Sequence, residues 1–297
     1  MFALPLAASA AGQIGYLGPA GSWTHQACLD LFGPADLVPL TRDDLFKGYQ
    51  SGKIERACVP VTTSVVGVTP YLDAVLDLPD VMIVAEYPKM LGYSLLAKPG
   101  TKLADVTEVL AHPVAFEEVK PWVDREMPKV KRTEAASGGA AAKTVADSPG
   151  HDKASFGPKV GASVYSLVSL VDGIEQGPHN VTRWWVLGRA MPAPTGRDKS
   201  SLLVDTSDDR FNDTLAALVD AKVPVLTIYE RPSKKTLDTH RYVIEVAGHA
   251  RQEPLASVLA AHPGIRLWVV HPPVIPALAD LAKDPVALYW GHTQIRP

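Results

Sequence analysis

Short apolar runs alternate with longer stretches of helical periodicity along most of this chain, and that alternation predicts a mixed α/β fold. Ile14-Gly-Tyr-Leu17 reads as a strand, Gly18-Pro-Ala-Gly-Ser22 as a tight turn, and Trp23 to about Phe32 as a helix with Ser22 at its N-cap. Thr41-Arg-Asp-Asp-Leu45 has the spacing of a capped helix start, with Asp44 at the third helical position. Arg56-Ala-Cys-Val-Pro-Val61 is apolar enough for a buried strand, feeding a loop at Thr62-Thr-Ser-Val-Val-Gly67 and a helix near Tyr71 to Leu76. Lys131 to Ala135 and then Ser137-Gly-Gly-Ala-Ala-Ala-Lys-Thr-Val145 repeat the order of strand, small-residue turn and helix.

A Pro- and Gly-containing stretch, Ala190 to Asp198, separates this part from a second pattern. There the expected elements are strand Ser200–Val204, helix Phe211–Ala221, strands Pro224–Tyr229 and Arg241–Val246, helix Glu253–Ala261 and strand Ile265–Val270. Phe211, Leu215, Leu218 and Val219 share a helical face, while Tyr242, Ile244 and Val246 alternate with Val243 and Glu245. The order βαββαβ is the ferredoxin-like arrangement. A tail from about Val274 to Pro297 carries Tyr289 and Trp290, which predict packing on a neighbour.

Composition narrows the function classes. With 297 residues, 46% hydrophobic and 21% charged, the chain is long enough for two or three globular domains. A net charge of -3 without a Lys/Arg cluster speaks against nucleic acid or an anionic membrane as partner. Cys28 and Cys58 are the only cysteines, so neither a disulfide framework nor a four-thiolate zinc site is available; reduced thiols and a cytoplasmic location are expected, with a single bridge left open. The opening Met1 to Ala11 is apolar but lacks the basic n-region of a secretory signal and contains Pro5. No apolar run reaches the ~18 residues of a membrane span.

Three strand-to-helix turns, at Ser22, Ser64 and Ser137, carry the candidate chemistry, because a helix N-terminus presents unpaired N–H groups and a partial positive charge. If they converge on one cleft with the Arg183 guanidinium, that cleft suits a small dicarboxylate; the alternative is that each serine caps its own helix. For Arg183 the alternative is a structural salt bridge, and Trp184 is read as core or as a cleft wall.

The segment Asn180-Val-Thr-Arg-Trp-Trp-Val-Leu-Gly188 resembles the Asn-x-Thr-Arg-Phe signature of prephenate dehydratases. Tyr16-Leu-Gly-Pro-Ala-Gly-Ser22 is similar to that family's opening Y-L-G-P-x-G-T, Ala111-His-Pro113 to its S-H-P, and Ser137-Gly-Gly-Ala-Ala141 to its S-T-A-E-A-A. The resemblance implies a two-lobed catalytic domain over about 13–190, similar to a type II periplasmic binding protein: lobe 1 about 13–90 plus 172–190, lobe 2 about 91–171. It further implies an ACT domain over 198–273, and a homodimer or homotetramer without metal or organic cofactor. In the family, prephenate loses carbon dioxide and water together to give phenylpyruvate. The resemblance makes Thr182 the catalytic hydroxyl, and the small-acid substrate would be bound by Ser22, Thr62, Thr63, Ser64, Ser137, Gly138 and Arg183.

Two departures qualify it. The family's P-I-E-N-S is Pro60-Val-Thr-Thr-Ser64 here, so an acid and an amide have become hydroxyls. Where ACT domains that bind phenylalanine carry P-G-A-L and E-S-R-P, this chain has Asp209-Arg-Phe-Asn-Asp213 and Tyr229-Glu-Arg-Pro232, leaving Asn212, Tyr229, Glu230 and Arg231 as a degenerate effector set. Weak phenylalanine feedback follows. A divergent reaction on a related cyclohexadienyl or aromatic acid is therefore also expected to fit, and a non-catalytic acid-binding protein is the alternative of another class.

Overall fold

The computed structural model describes residues 12–271 apart from 35, 178, 207, 235–238 and 264; the expectations for Met1 to Ala11 and for the tail from Val274 lie outside the described residues. The chain begins β1 (Gln13–Leu17), α1 (Trp23–Phe32), β2 (Leu37–Leu40), α2 (Arg42–Gln50), β3 (Ile54–Thr63), β4 (Gly67–Val68), α3 (Pro70–Leu76) and β5 (Met82–Met90). It continues β6 (Ser94–Ala97), β7 (Glu108–Ala111), α4 (Pro113–Glu126), β8 (Lys131–Glu134), α5 (Gly138–Asp147), β9 (Lys153–Gly157), α6 (Val160–Tyr165), β10 (Val168–Asp172) and β11 (Val181–Gly188). The last stretch is β12 (Lys199–Thr206), α7 (Asp208–Asp220), β13 (Val225–Pro232), β14 (His240–Ala247), α8 (Leu255–Ala261) and β15 (Arg266–His271).

These strands make three sheets, ordered β2-β1-β3-β11-β5 with β4 on β3, β10-β6-β9-β7-β8, and β13-β14-β12-β15. Strand β1 lies parallel between β2 and β3, and β7 lies parallel between β8 and β9; each parallel step is bridged by a helix, as parallel strands require. The described residues divide into two compact units, 12–67 with 88–184, and 68–87 with 185–271; β5 and β11 pass from one to the other.

Local signals are obeyed closely at the helix starts. Ser22 Oγ accepts from the His25 amide, Thr41 Oγ1 from Asp44, and Ser137 Oγ from Ala140. At Thr41 the reciprocal half of the capping box is missing: the Asp44 carboxylate accepts the Thr41 hydroxyl instead of the backbone N–H. Cys28 and Cys58 are buried free thiols, and burial pushes the Cys28 pKa up.

In the second unit Leu202, Val204, Leu218, Ile244, Val246, Leu255 and Val258 form the core, with Phe211, Leu215 and Tyr242 packed on it. Val219, expected on that face, is 65% exposed: it follows Leu218 by one residue, a turn of about 100° that carries it past the edge of the stripe. Strand β14 departs from the half-buried pattern, because Val243 and Glu245 are as buried as Ile244 and Val246. The reason is an ionic cluster on that face. Lys199 Nζ donates to Glu86 Oε1 at 2.5 Å and stands 3.7 Å from Glu245 Oε2, while Trp185 Nε1 donates to Glu86 Oε2 at 3.1 Å.

Candidate active site

The first unit brings two of the predicted turns into contact. Gly139, second residue of α5, sits so close to the Gly18–Ser22 turn that a Cβ there would lie 2.6 Å from the Ala20 carbonyl oxygen and 2.9 Å from the Ser22 nitrogen. Glycine is required for that approach. Tyr165, closing α6, donates its hydroxyl to the same Ala20 oxygen at 2.8 Å. The N-termini of α1 and α5 are thereby held side by side, with Ser22 buried and Gly138 half-buried beside Pro158 and Gly157. His25 stacks on Tyr16 at 5.0 Å and its Nδ1 accepts from the Gly21 amide; burial lowers its pKa, which suits that accepting, neutral ring.

The third turn behaves differently, and the expectation of a helix start at Ser64 is corrected. Ser64 caps no helix: α3 begins six residues later, at Pro70 behind Thr69. Ser64 instead fastens β3 to the entrance of β11, donating its hydroxyl to the His179 carbonyl and accepting from the Val181 amide, both at 2.8 Å. Its own amide donates to the Val181 carbonyl. This pairing also draws Thr62 and Thr63, expected in a loop, into the end of β3. Thr63 Oγ1 accepts from the Val66 amide, and Thr62 Oγ1 accepts from Arg183 Nε at 3.1 Å.

Thr182 and Arg183 are adjacent in sequence but not on one surface. Successive side chains of a strand face opposite sides, and both residues lie within β11. Arg183, 3% exposed, turns to Thr62, whereas Thr182, 5% exposed, donates its hydroxyl to Asn180 Oδ1 at 3.2 Å. Two residues on, Trp184 repeats the Thr182 side and donates its indole N–H to Thr24 Oγ1 in the first turn of α1. Thr182 therefore belongs to the side on which the α1 and α5 N-termini meet, and the guanidinium predicted to share that surface is directed away from it.

A group that the sequence reading passed over occupies the same region. Glu118 of α4 is fully buried; Tyr93 donates its hydroxyl to Glu118 Oε1 at 3.4 Å, and Oε2 has no hydrogen-bond partner. Burial pushes its pKa up to about 7, against the opposing pull of the Asn180 side chain and backbone and of Tyr93; Glu175 adds to the rise. Tyr93 in turn meets the Trp23 ring edge-on at 5.7 Å, and burial drives its phenol pKa upward. Tyr93 with Glu118 and Asn180 with Thr182 are thus two separate hydrogen-bonded pairs. The signal was present in the sequence: Ala115, Glu118, Val119 and Trp122 form one helical stripe, so an acid stands where the spacing calls for an apolar residue.

The segment before β11 is pinned to that acid. Gln176 and Gly177 both donate their amides to the Glu118 carbonyl, at 3.0 and 2.8 Å, one turn before Pro121, which sits inside α4 without an N–H of its own. A Cβ at Gly177 would lie 2.7 Å from the Glu117 carbonyl oxygen.

In the second unit the residues singled out as effector contacts are otherwise engaged. Asn212 is exposed within α7, so the stretch expected to replace a glycine turn is already helical. Arg231 makes a two-pronged pair with Asp73, both bonds 2.7 Å, which holds the Asp73 carboxyl below its usual range; Glu230 pairs with His240 at 2.6 Å, and Tyr229 is half-buried on β13. Among the described residues, no group of three or more His, Cys, Asp or Glu side chains is set to hold a metal, and no helix is long and apolar enough to cross a membrane.

Residues 14–192 match the family model described as prephenate dehydratase. The chain is 31% identical over 271 residues to the prephenate dehydratase of Mycolicibacterium gilvum, covering 84% of this chain and 85% of that protein. The crystal structure of a prephenate dehydratase from Arthrobacter aurescens in complex with L-Phe superposes with a TM-score of 0.79 at 26% identity, covering 95% of this chain and 97% of that one. A structure described as a novel type of quorum quenching acylase, GqqA, shares the fold with the same TM-score at 22% identity, over 88% and 97% of the two chains.

Proposed function

Since this chain belongs to the prephenate dehydratase family, we propose that it is a lyase that converts prephenate to phenylpyruvate. In that reaction the dianion takes up one proton: the bond from ring to carboxylate breaks to release carbon dioxide, its electron pair enters the ring, and the ring hydroxyl leaves with the proton as water. Aromatisation drives both cleavages, so the protein's work is orientation and polarisation at the leaving oxygen. No cofactor is called for.

One observation carries the reading: the buried Thr182 hydroxyl, backed by Asn180, on the side of β11 where two helix N-termini meet. Thr182 would polarise the departing oxygen, while the amides beside Ser22, Ser137 and Gly138 offer charge complementarity to carboxylate groups. Thr62, Thr63, Ser64 and Arg183 would then shape the site from behind, with Ser64 holding β11 in register and Thr62 holding Arg183. The test is turnover of prephenate by the purified protein, followed in the ultraviolet, alongside Thr182→Ala. The expected result is phenylpyruvate from the wild type and a loss of about a hundredfold or more in kcat for the variant, the usual scale for a group acting on a leaving atom. Full turnover by Thr182→Ala would remove the hydroxyl from the mechanism.

The exchange of an acid and an amide for Thr62 and Thr63 supports a second reading, that the substrate is a related cyclohexadienyl acid in a specialised pathway. A decarboxylated, non-aromatic product from prephenate would favour it. We further propose that the βαββαβ part of the second unit is an ACT-type module that mediates homo-oligomerisation. With Arg231 bound to Asp73 and Glu230 to His240, it would take phenylalanine poorly. Calorimetric titration should show no micromolar binding.

A further inference from the structure

Two crossovers, residues 91–93 and 173–180, join the sheet that holds β1 and β11 to the sheet that holds β6 and β9. They are bonded to each other. The Leu91 amide donates to the Asn180 carbonyl at 2.8 Å, the Gly173 amide to the Tyr93 carbonyl at 3.0 Å, and the Tyr93 amide to Glu175 Oε2 at 2.7 Å. A second meeting place of the two sheets is the Gly18–Ser22 turn, which lies against α5 and α6 in a contact made largely of backbone. A Cβ on Gly139 would lie 2.6 Å from the Ala20 carbonyl oxygen, and one on Gly21 would lie 2.8 Å from the Tyr165 ring and 3.2 Å from the Gly161 Cα. Surfaces so bare bury little apolar side chain, so hydrophobic attraction across them is small. The side-chain bond that spans them runs from the Tyr165 hydroxyl to the Ala20 carbonyl, at 2.8 Å. We propose that Tyr165 is a positioning residue of this site: its hydroxyl latches the Gly18–Ser22 turn, and with it the N-terminus of α1, against α5. When the latch opens, the two sheets swing apart about the paired crossovers to admit or release a small acid. The kinetic consequence rests on the lyase reading of the same site; the latch itself does not.

Each side of the latch is built to hold its shape without the other. The turn is braced within its own sheet: the Gly18 amide donates to the Leu40 carbonyl at 2.9 Å, the Gly21 amide to His25 Nδ1 at 3.1 Å, and Ser22 Oγ caps α1. Tyr165 is anchored on the opposite side, its ring packed on the cluster of Leu96, Ala141, Ala142 and Val145. Neither partner needs the bond for its own fold, so its free energy goes to holding the sheets together. The amides beside Ser22 and those beside Ser137 and Gly138 face one ligand only in the latched form. Apparent affinity for a carboxylate-bearing ligand is then reduced by the fraction of molecules that are unlatched.

The test uses the full chain and two readouts, of which the first needs no substrate. Nitroxide labels at Lys47→Cys on α2 and Lys143→Cys on α5, both exposed positions, report the separation of the two sheets by pulsed electron spin resonance. Cys28 and Cys58 are fully buried and stay unlabelled. With Tyr165 intact a single short distance is expected; Tyr165→Phe, which keeps the ring and loses the hydroxyl, should add a second, longer population. Gly139→Ala places a Cβ against the Ala20 oxygen on a helix that accepts alanine readily, and should move most molecules to the longer distance. In the second readout, KM for prephenate should rise about threefold in Tyr165→Phe and about tenfold or more in Gly139→Ala, with kcat changed less than about twofold. A Tyr165→Phe distance distribution identical to that of the unsubstituted Tyr165 protein overturns the proposal whether or not prephenate is consumed. Longer distances with an unchanged KM overturn it as well, because the latch would then do nothing for binding. Longer distances in a protein that leaves prephenate untouched sink the lyase reading alone.

Discussion

Glu86 on β5 and Glu118 on α4 are both buried carboxyls, and the protein treats them in opposite ways. Glu86, in the second unit, is met by the Lys199 ammonium and the Trp185 indole, with Glu245 on the far side of the lysine. Glu118, in the first, has a distant phenol, an amide and an oxygen with no partner. Full pairing is what a buried charge needs to be tolerated, and it is what a structural ionic cluster shows. A carboxyl left short of partners keeps its proton and remains able to change state, which is what a reacting site uses. The two units therefore treat a buried acid in opposite ways, one fully paired and the other left short of partners.

The largest effect that would break this contrast lies in the second unit. Lys199→Met removes the ammonium between two buried carboxylates and should cost about 4 kcal/mol of folding stability in chemical denaturation, with kcat of the folded fraction unchanged. A cost below 1 kcal/mol would show that the pairing is not what makes Glu86 and Glu245 tolerable there.

The next effect has a sign fixed by the raised pKa of Glu118. From about pH 4.5 to 7 the native state holds a proton that the unfolded chain has given up, so this residue's contribution is fully present in acid and is lost as pH rises through 7. The stability of the wild type minus that of Glu118→Gln should fall by roughly 2–3 kcal/mol between pH 4.5 and pH 8. An unchanged difference would mean that Glu118 ionises as freely as a surface acid, and the contrast with Glu86 would disappear.

The smallest effect sharpens the boundary of the site. Thr62→Val takes one acceptor from Arg183 Nε and should cost about 1 kcal/mol of stability with a change in kcat of less than about threefold. A much larger loss of turnover would return the guanidinium to the surface proposed to react, which lies on the Thr182 side of β11.

What the sequence made legible follows from how local each signal is. The caps at Ser22, Thr41 and Ser137 are decided within four residues, and each hydroxyl accepts from an amide of its own first turn, although the return half of the box at Thr41 is not made. The βαββαβ order is likewise visible in periodicity alone. The role of Ser64 in fastening β3 to β11 is not legible, because its partners His179 and Val181 lie over a hundred residues away and nothing in Thr62–Gly67 announces them. Thr182 and Arg183 are neighbours at the entrance to an apolar β-type run, and because the strand already includes both, they face opposite sides of it. Glu118 is legible in principle as the single acid in the apolar stripe of α4, but that signal depends on the helix being identified first.

The pinning of residues 176 and 177 has a kinetic side. These amides belong to no helix or strand, yet both end on a carbonyl of α4, and the Gly177 backbone lies against that helix with no room for a side chain. Exchange of their hydrogens with solvent requires the segment to lift from α4, a motion governed by local unfolding rather than by loop fluctuation. In the hierarchy of openings residues 176 and 177 rank with α4 rather than with a free loop, and the approach to β11 inherits the slow clock of that helix.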